Sequence, residues 1–212
     1  MSTHAEAHAH EHHGPPAANQ SSRVDARVLG IFLFIASEIM LFGSFFTAYF
    51  FVRVVNNAPE WPPCKVFEGG VCAEHFHLPV YVAAVNSAIL FTSSFTMHWS
   101  LQAIKRGNRA GLRAGLVLTL LLGGTFLATQ VTEYARIGFN TGDHAFTSVF
   151  FGLTGLHGAH VLVGLLILLF MTIRAFRGHF SPEHHQGVEV GGIYWHFVDV
   201  MWIVVYSTVY LI

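Results

Sequence analysis

Charge is the scarcest property of this sequence. Lys, Arg, Asp and Glu together make up 11% of its 212 residues, and 11 basic side chains stand against 12 acidic ones. No basic block is concentrated enough to neutralise a run of phosphates, which excludes a nucleic-acid-binding surface. Cysteine is nearly absent, with only Cys64 and Cys72. No Cys/His/carboxylate set has the local spacing of a metal centre, so metal-based redox chemistry finds no ligand pattern here. Internal repeats are missing, which argues against a small transporter. The first twenty residues contain no apolar core segment, so they do not read as a secretory signal.

What the chain has in abundance is apolar surface: 53% of its residues are hydrophobic and 20 are Phe. That much cannot be hidden inside one water-soluble domain of this size, so a bilayer must be the solvent. The apolar runs are long enough to cross roughly 30 Å of hydrocarbon at about 1.5 Å per helical residue. The sequence therefore predicts an all-α, polytopic membrane bundle. Its five transmembrane helices are expected at about 28–54, 80–104, 114–137, 146–173 and 191–212, as one membrane domain over 28–212. Arg23, Arg27, Lys105, Arg106, Arg109, Arg113, Arg174 and Arg177 then fall on one side of the membrane, where positive charge is retained. This distribution predicts a cytoplasmic N-terminus and an outer C-terminus.

Residues 1–27 read as a disordered cytoplasmic tail carrying His4, His8, His10, His12 and His13. No spacing there imposes a tetrahedral geometry, so the tail is expected to hold a metal only adventitiously. The first outer loop is rich in Pro and Gly and should break any helix. It holds both cysteines, and Cys64 and Cys72 are expected to close a small disulfide ring on an oxidising face.

Ionisable residues inside the spans cost at least about 2.5 to 3.5 kcal/mol near the bilayer centre, so each must face protein, water or a polar lipid group. Glu38 is the most expensive, lying about 15 Å into the first helix by the rise per residue. His157 and His160, three residues apart in GLHGAHVLVG, should share a face of the fourth helix. His196 and Asp199 repeat that offset on the last helix, where the carboxylate can orient the ring. Glu133, near the outer end of the third helix, is cheaper. With His98 these histidines supply raw material for a bis-histidine haem, but the spacing selects no pair. Interhelical hydrogen bonding is the reading preferred for them. No residue is read as catalytic and none as a metal ligand.

Three segments carry a resemblance to one family: ASEIMLFGSFFTAYF (36–50), TEYARIGFNTGDHAFTSVFFGLTGLHGAHVLVG (132–164) and YWHFVDVMWIVVYSTVYL (194–211). The combination resembles subunit III of the haem-copper terminal oxidases, in a short five-helix bacterial form. The resemblance implies a multi-pass subunit of the bacterial cell membrane that carries no haem or copper of its own. It implies packing against the haem- and copper-bearing subunits I and II, in a complex that can join a larger respiratory supercomplex. It also implies support for proton uptake and turnover stability of subunit I, and phospholipid bound between helix groups. Glu38, His157, His160, His196, Asp199 and Glu133 are carried over as structural and lipid-cleft residues. Cytochrome c is favoured as electron donor. A quinol oxidase, a nitric oxide reductase accessory subunit and, from another class, a cytochrome b-like anchor or small transporter stay open as alternatives.

Overall fold

The computed structural model describes residues 26–55, 64–68, 71–75 and 78–211. The expected five helices are present: α1 (Ala26–Val55), α2 (Val80–Lys105), α3 (Arg109–Arg136), α4 (Ala145–Phe176) and α5 (Gln186–Tyr206). Each is long and apolar enough to span a membrane. A π-helical turn, Ser207–Leu211, prolongs α5. Between α1 and α2, the Pro- and Gly-rich segment that breaks the helical pattern contains an antiparallel hairpin of β1 (Cys64–Glu68) and β2 (Val71–His75). Its side chains lie outside the described residues, and with them the expected Cys64–Cys72 bond. The His-rich residues 1–25 are outside them as well.

Local chemistry sets the ends of the helices. After α2, Gly107 adopts φ 77°, a left-handed backbone that reverses the chain at little steric cost. Asn108 then caps α3 by accepting a hydrogen bond from the Gly111 amide at 2.9 Å. This cap starts α3 five residues before the apolar run from which its start was inferred, so Arg109 and Arg113 belong to the helix. His144 caps α4 with an imidazole: Nδ1 accepts from the Phe146 amide at 3.0 Å, while the His144 amide donates to Thr147 Oγ1 at 3.1 Å.

Small residues fix how closely the helices approach. A Cβ at Gly115 would lie 2.5 Å from the Ser100 Cβ, and one at Gly111 would lie 2.8 Å from the Ala103 Cβ, so α2 and α3 meet nearly backbone to backbone. The α5 helix occupies the centre of the bundle and α1 its least buried edge. Trp195 of α5, fully buried, fits between Gly123 of α3 and Gly164 of α4, where added methyls would come within 2.6 and 2.9 Å of its ring. Its indole donates to Ser93 Oγ at 3.0 Å, and that of Trp202 donates to Ser87 Oγ at 2.9 Å. Two serines of α2 thus register two tryptophans seven residues apart on α5, each indole N–H finding the acceptor that burial demands.

Filling the Trp195 slot should therefore be disruptive. Gly164→Val is expected to destabilise the bundle by about 1–3 kcal/mol through overpacking, read as a lowered Tm in detergent. Gly158→Ala, with open space around its Cβ direction, should be close to neutral.

Candidate functional site

The edge helix α1 is held along a single stripe. Arg27, Glu38 and Tyr49 are spaced eleven residues apart, close to three turns of helix, so they point the same way. Arg27 Nη1 donates to Gln186 Oε1 at the head of α5. At the other end Tyr49 donates its hydroxyl proton to the carbonyl of Thr208 at 3.2 Å. Midway, Glu38 Oε2 and His160 Nε2 of α4 lie 2.9 Å apart. Both side chains are largely withdrawn, at 16% and 12% exposure. Phe42, one turn beyond Glu38 and buried, covers the imidazole with ring centroids 5.0 Å apart.

The proton count of this pair follows from its other partner. His160 Nδ1 lies 2.8 Å from the Leu156 carbonyl, which can only accept, so the Nδ1 proton is assigned there. Nε2 and the Glu38 carboxyl must then share one further proton. Two would leave a net positive charge in the membrane, and none would set a lone pair against a carboxylate. With one shared proton the pair is neutral as a unit, whether written as imidazole and carboxylic acid or as imidazolium and carboxylate. Glu38 thereby becomes tolerable at mid-membrane depth. Tyr194 adds a hydrogen bond from its hydroxyl to the His160 carbonyl at 3.3 Å.

The other expected residues are distributed differently. His157 shares α4 with His160 but faces the interior at 1% exposure, edge-on to Phe126 (5.9 Å) and tilted against Trp202 (4.9 Å). Neither of its ring nitrogens has a hydrogen-bond partner among the described residues. His196 is oriented by Ser94 of α2, whose Oγ lies 2.6 Å from its Nδ1. Asp199 does not perform the expected orienting role. It is 7% exposed and makes no hydrogen bond to the His196 ring, although the Ser94 hydroxyl that holds His196 also lies beside its carboxyl. A three-residue offset leaves two side chains about 60° apart around a helix, so the Ser94 hydroxyl of α2, rather than the Asp199 carboxyl, meets the His196 ring. Glu133 sits half-buried three residues before the end of α3. The structure thus joins Glu38 to His160 alone, gathers His196 and Asp199 around Ser94, and leaves His157 and Glu133 elsewhere.

A cleft of about 840 Å³ opens between α1, α4 and α5 at the end of the bundle where the basic residues gather. Its walls are Ile31, Phe34, Val163, Ile167 and Phe170; Arg27, Arg174, His179 and His184 supply its polar lining. Arg174 lies over the rings of Phe170 and Phe180, at 5.8 and 5.4 Å. None of the six expected site residues lines this cleft, although Tyr194 does and so connects it to His160. The sequence carried a usable signal for it, in the arginines at the ends of α1 and α4 and the histidines of the intervening turn. Among the described residues, no group of three or more His, Cys, Asp or Glu could hold a metal ion.

These features define a polytopic membrane subunit with an internally neutralised acid and an amphipathic cleft. The family model for cytochrome c oxidase subunit III matches residues 10–212. The cytochrome c oxidase subunit 3 of Synechocystis is 41% identical over 212 residues, all of this chain and 83% of that protein. That of Thermostichus vulcanus is 36% identical over 206 residues, 97% of this chain and 91% of that one. The Drosophila melanogaster protein of the same name is 38% identical over 184 residues, covering 85% and 67%. The chain belongs to the cytochrome c oxidase subunit III family, and through it to a membrane-bound oxidoreductase complex.

The shared-proton geometry separates two variants. Glu38→Ala removes the bond and leaves His160 Nε2 without a partner, with an expected loss of about 1–3 kcal/mol. Glu38→Gln keeps a donor facing neutral Nε2 and should lose less than half as much. Thermal unfolding in detergent measures both, and equal losses would refute the proton assignment.

Proposed function

We propose that this chain is the non-catalytic partner of a haem-copper subunit I in the bacterial cell membrane, which it helps to take up protons and to survive turnover. It carries no redox centre itself. Subunit I is its main contact, subunit II lies in the same complex, and the N-terminus faces the cytoplasm. The observation that carries this reading is the cleft between α1, α4 and α5, which we assign to a phospholipid. Its apolar walls suit acyl chains, and Arg27 and Arg174 suit a phosphate, for which a guanidinium offers a fork of donors. A lipid held there would seal the loosely packed edge helix to the rest of the bundle. The neutral Glu38–His160 pair supports the same reading, because it holds a transferable proton inside the membrane without a net charge.

Purification through a tag on this chain tests the proposal. The expected result is co-purification of a large haem-bearing subunit and a copper-bearing one, with no haem band on the isolated chain. A haem that stays with the isolated chain, or the absence of partners, would point instead to a cytochrome b-like anchor or a transporter. In the complex, Arg174→Ala combined with Arg27→Ala should lower tightly bound phospholipid by about one molecule per complex. It should also shorten the active lifetime under turnover several-fold, while initial oxygen consumption and the reduced-minus-oxidised haem spectrum stay unchanged. Glu38→Ala should likewise leave the haem bands in place.

A further inference from the structure

Two outward faces of the bundle differ in how their polar groups are satisfied. On α1 every described hydroxyl of the outer surface is bonded within its own helix: Ser37 to the Phe34 carbonyl, Ser44 to Leu41 and Thr47 to Gly43, at 2.6 to 2.8 Å. The remaining exposed side chains along its middle are apolar. Such a surface is fit for lipid.

The outer face of α2 is different. His98 is exposed and makes no hydrogen bond with any described residue. Among the described residues it is the one exposed histidine, acid or base lying more than a turn from the end of its membrane-spanning helix. Lys105 marks that end seven residues on, about 10 Å along the axis, farther than an imidazole on its short stem can reach. Beside His98 stands His196, whose Nδ1 is engaged with Ser94. Asp199, the carboxylate three residues along α5, is buried and bonds neither ring. A neutral imidazole always carries one N–H. Whichever tautomer His98 takes, hydrocarbon offers no acceptor for that proton, and among the described residues none is bonded to it. Phe95 and Trp99, 73% and 49% exposed, flank it as large rings turned to the outside.

We propose that the outer face of α2 around His98 is the docking site for a transmembrane helix of a neighbouring oxidase subunit. That helix places a hydrogen-bond acceptor oxygen, from a carboxylate, carboxamide or hydroxyl side chain, opposite the His98 ring. Phe95 and Trp99 pack against its apolar flanks. Lipid occupies the outer face of α1 instead. This inference rests on the assignment to an oxidase complex, and adds which face of the chain meets protein and through which group.

The assembled complex provides the test. A benzophenone amino acid incorporated at Phe95 should, on illumination, cross-link to a membrane-spanning peptide of another oxidase subunit, identified by mass spectrometry. In parallel, His98→Leu should lower the fraction of this chain retained on the complex in a detergent titration by about three- to tenfold, the range expected for one interhelical hydrogen bond. His98→Asn, which keeps a donor, should recover most of that loss. Lipid adducts alone at position 95 in a complex that co-purifies intact would overturn the docking site and leave the oxidase assignment standing. Retention of His98→Leu at the unaltered level would overturn the role of the imidazole. Failure of any haem-bearing subunit to co-purify with the unaltered chain would instead refute the oxidase assignment, and this inference with it.

Discussion

Inside a bilayer no water is available to complete an unfinished hydrogen bond, and the pairing of Glu38 and of the two buried indoles answers that constraint. Its most demanding case is the carboxyl of Glu38. The solution is a single shared proton: the Leu156 carbonyl holds one proton on His160 Nδ1, and the geometry leaves one more between Nε2 and Glu38. The same bond fastens the least buried helix to the bundle, together with the Arg27–Gln186 and Tyr49–Thr208 contacts along one stripe. Neutralising an acid and positioning α1 are therefore one structural event.

The rest of the bundle is organised around α5. Its tryptophans enter slots that exist because Gly123 and Gly164 lack side chains, and their indoles are registered by Ser93 and Ser87. Dispersion and close approach hold helices together where the hydrophobic effect cannot, since lipid tails are as apolar as the helix surfaces they would displace. Glycine opposite tryptophan yields large contact area, and the serine acceptors keep the indole N–H groups from being buried alone. The result is a rigid centre formed by α2 to α5, with α1 as an edge whose attachment is polar.

That asymmetry is suited to the non-catalytic role proposed for the chain. A rigid centre offers a surface on which a neighbour can dock, and the edge helix creates a cleft with basic groups at one end and an apolar interior. The Tyr194 side chain contacts both the cleft and His160, so occupancy of the cleft and the packing around the Glu38 pair share a wall. Under the proposed function, chemistry done elsewhere in the complex depends on this chain through shape, lipid and protonation.

Much of this was legible in the sequence. Apolar runs of membrane-crossing length fixed the number and approximate extent of the helices, because hydrocarbon thickness sets a minimum that no soluble domain imposes. The cost of a mid-membrane carboxyl singled out Glu38, and the motif-bearing segments 36–50, 132–164 and 194–211 pointed to the family to which the chain belongs. Sequence did not decide which histidine meets Glu38. His157 and His160 are equivalent as letters three apart, and only the rotation of α4 against α1 turns one to the acid and the other into an aromatic cage. Nor could it show that Ser94, an ordinary residue in an apolar helix, takes the place expected of Asp199, or that the cleft lies apart from the costly acids and histidines. Composition and length are properties of one strand, readable because the bilayer constrains each helix by itself. Pairings and clefts depend on the relative rotation and approach of helices distant in sequence, and those are settled when the glycines, tryptophans and serines of different helices are packed together.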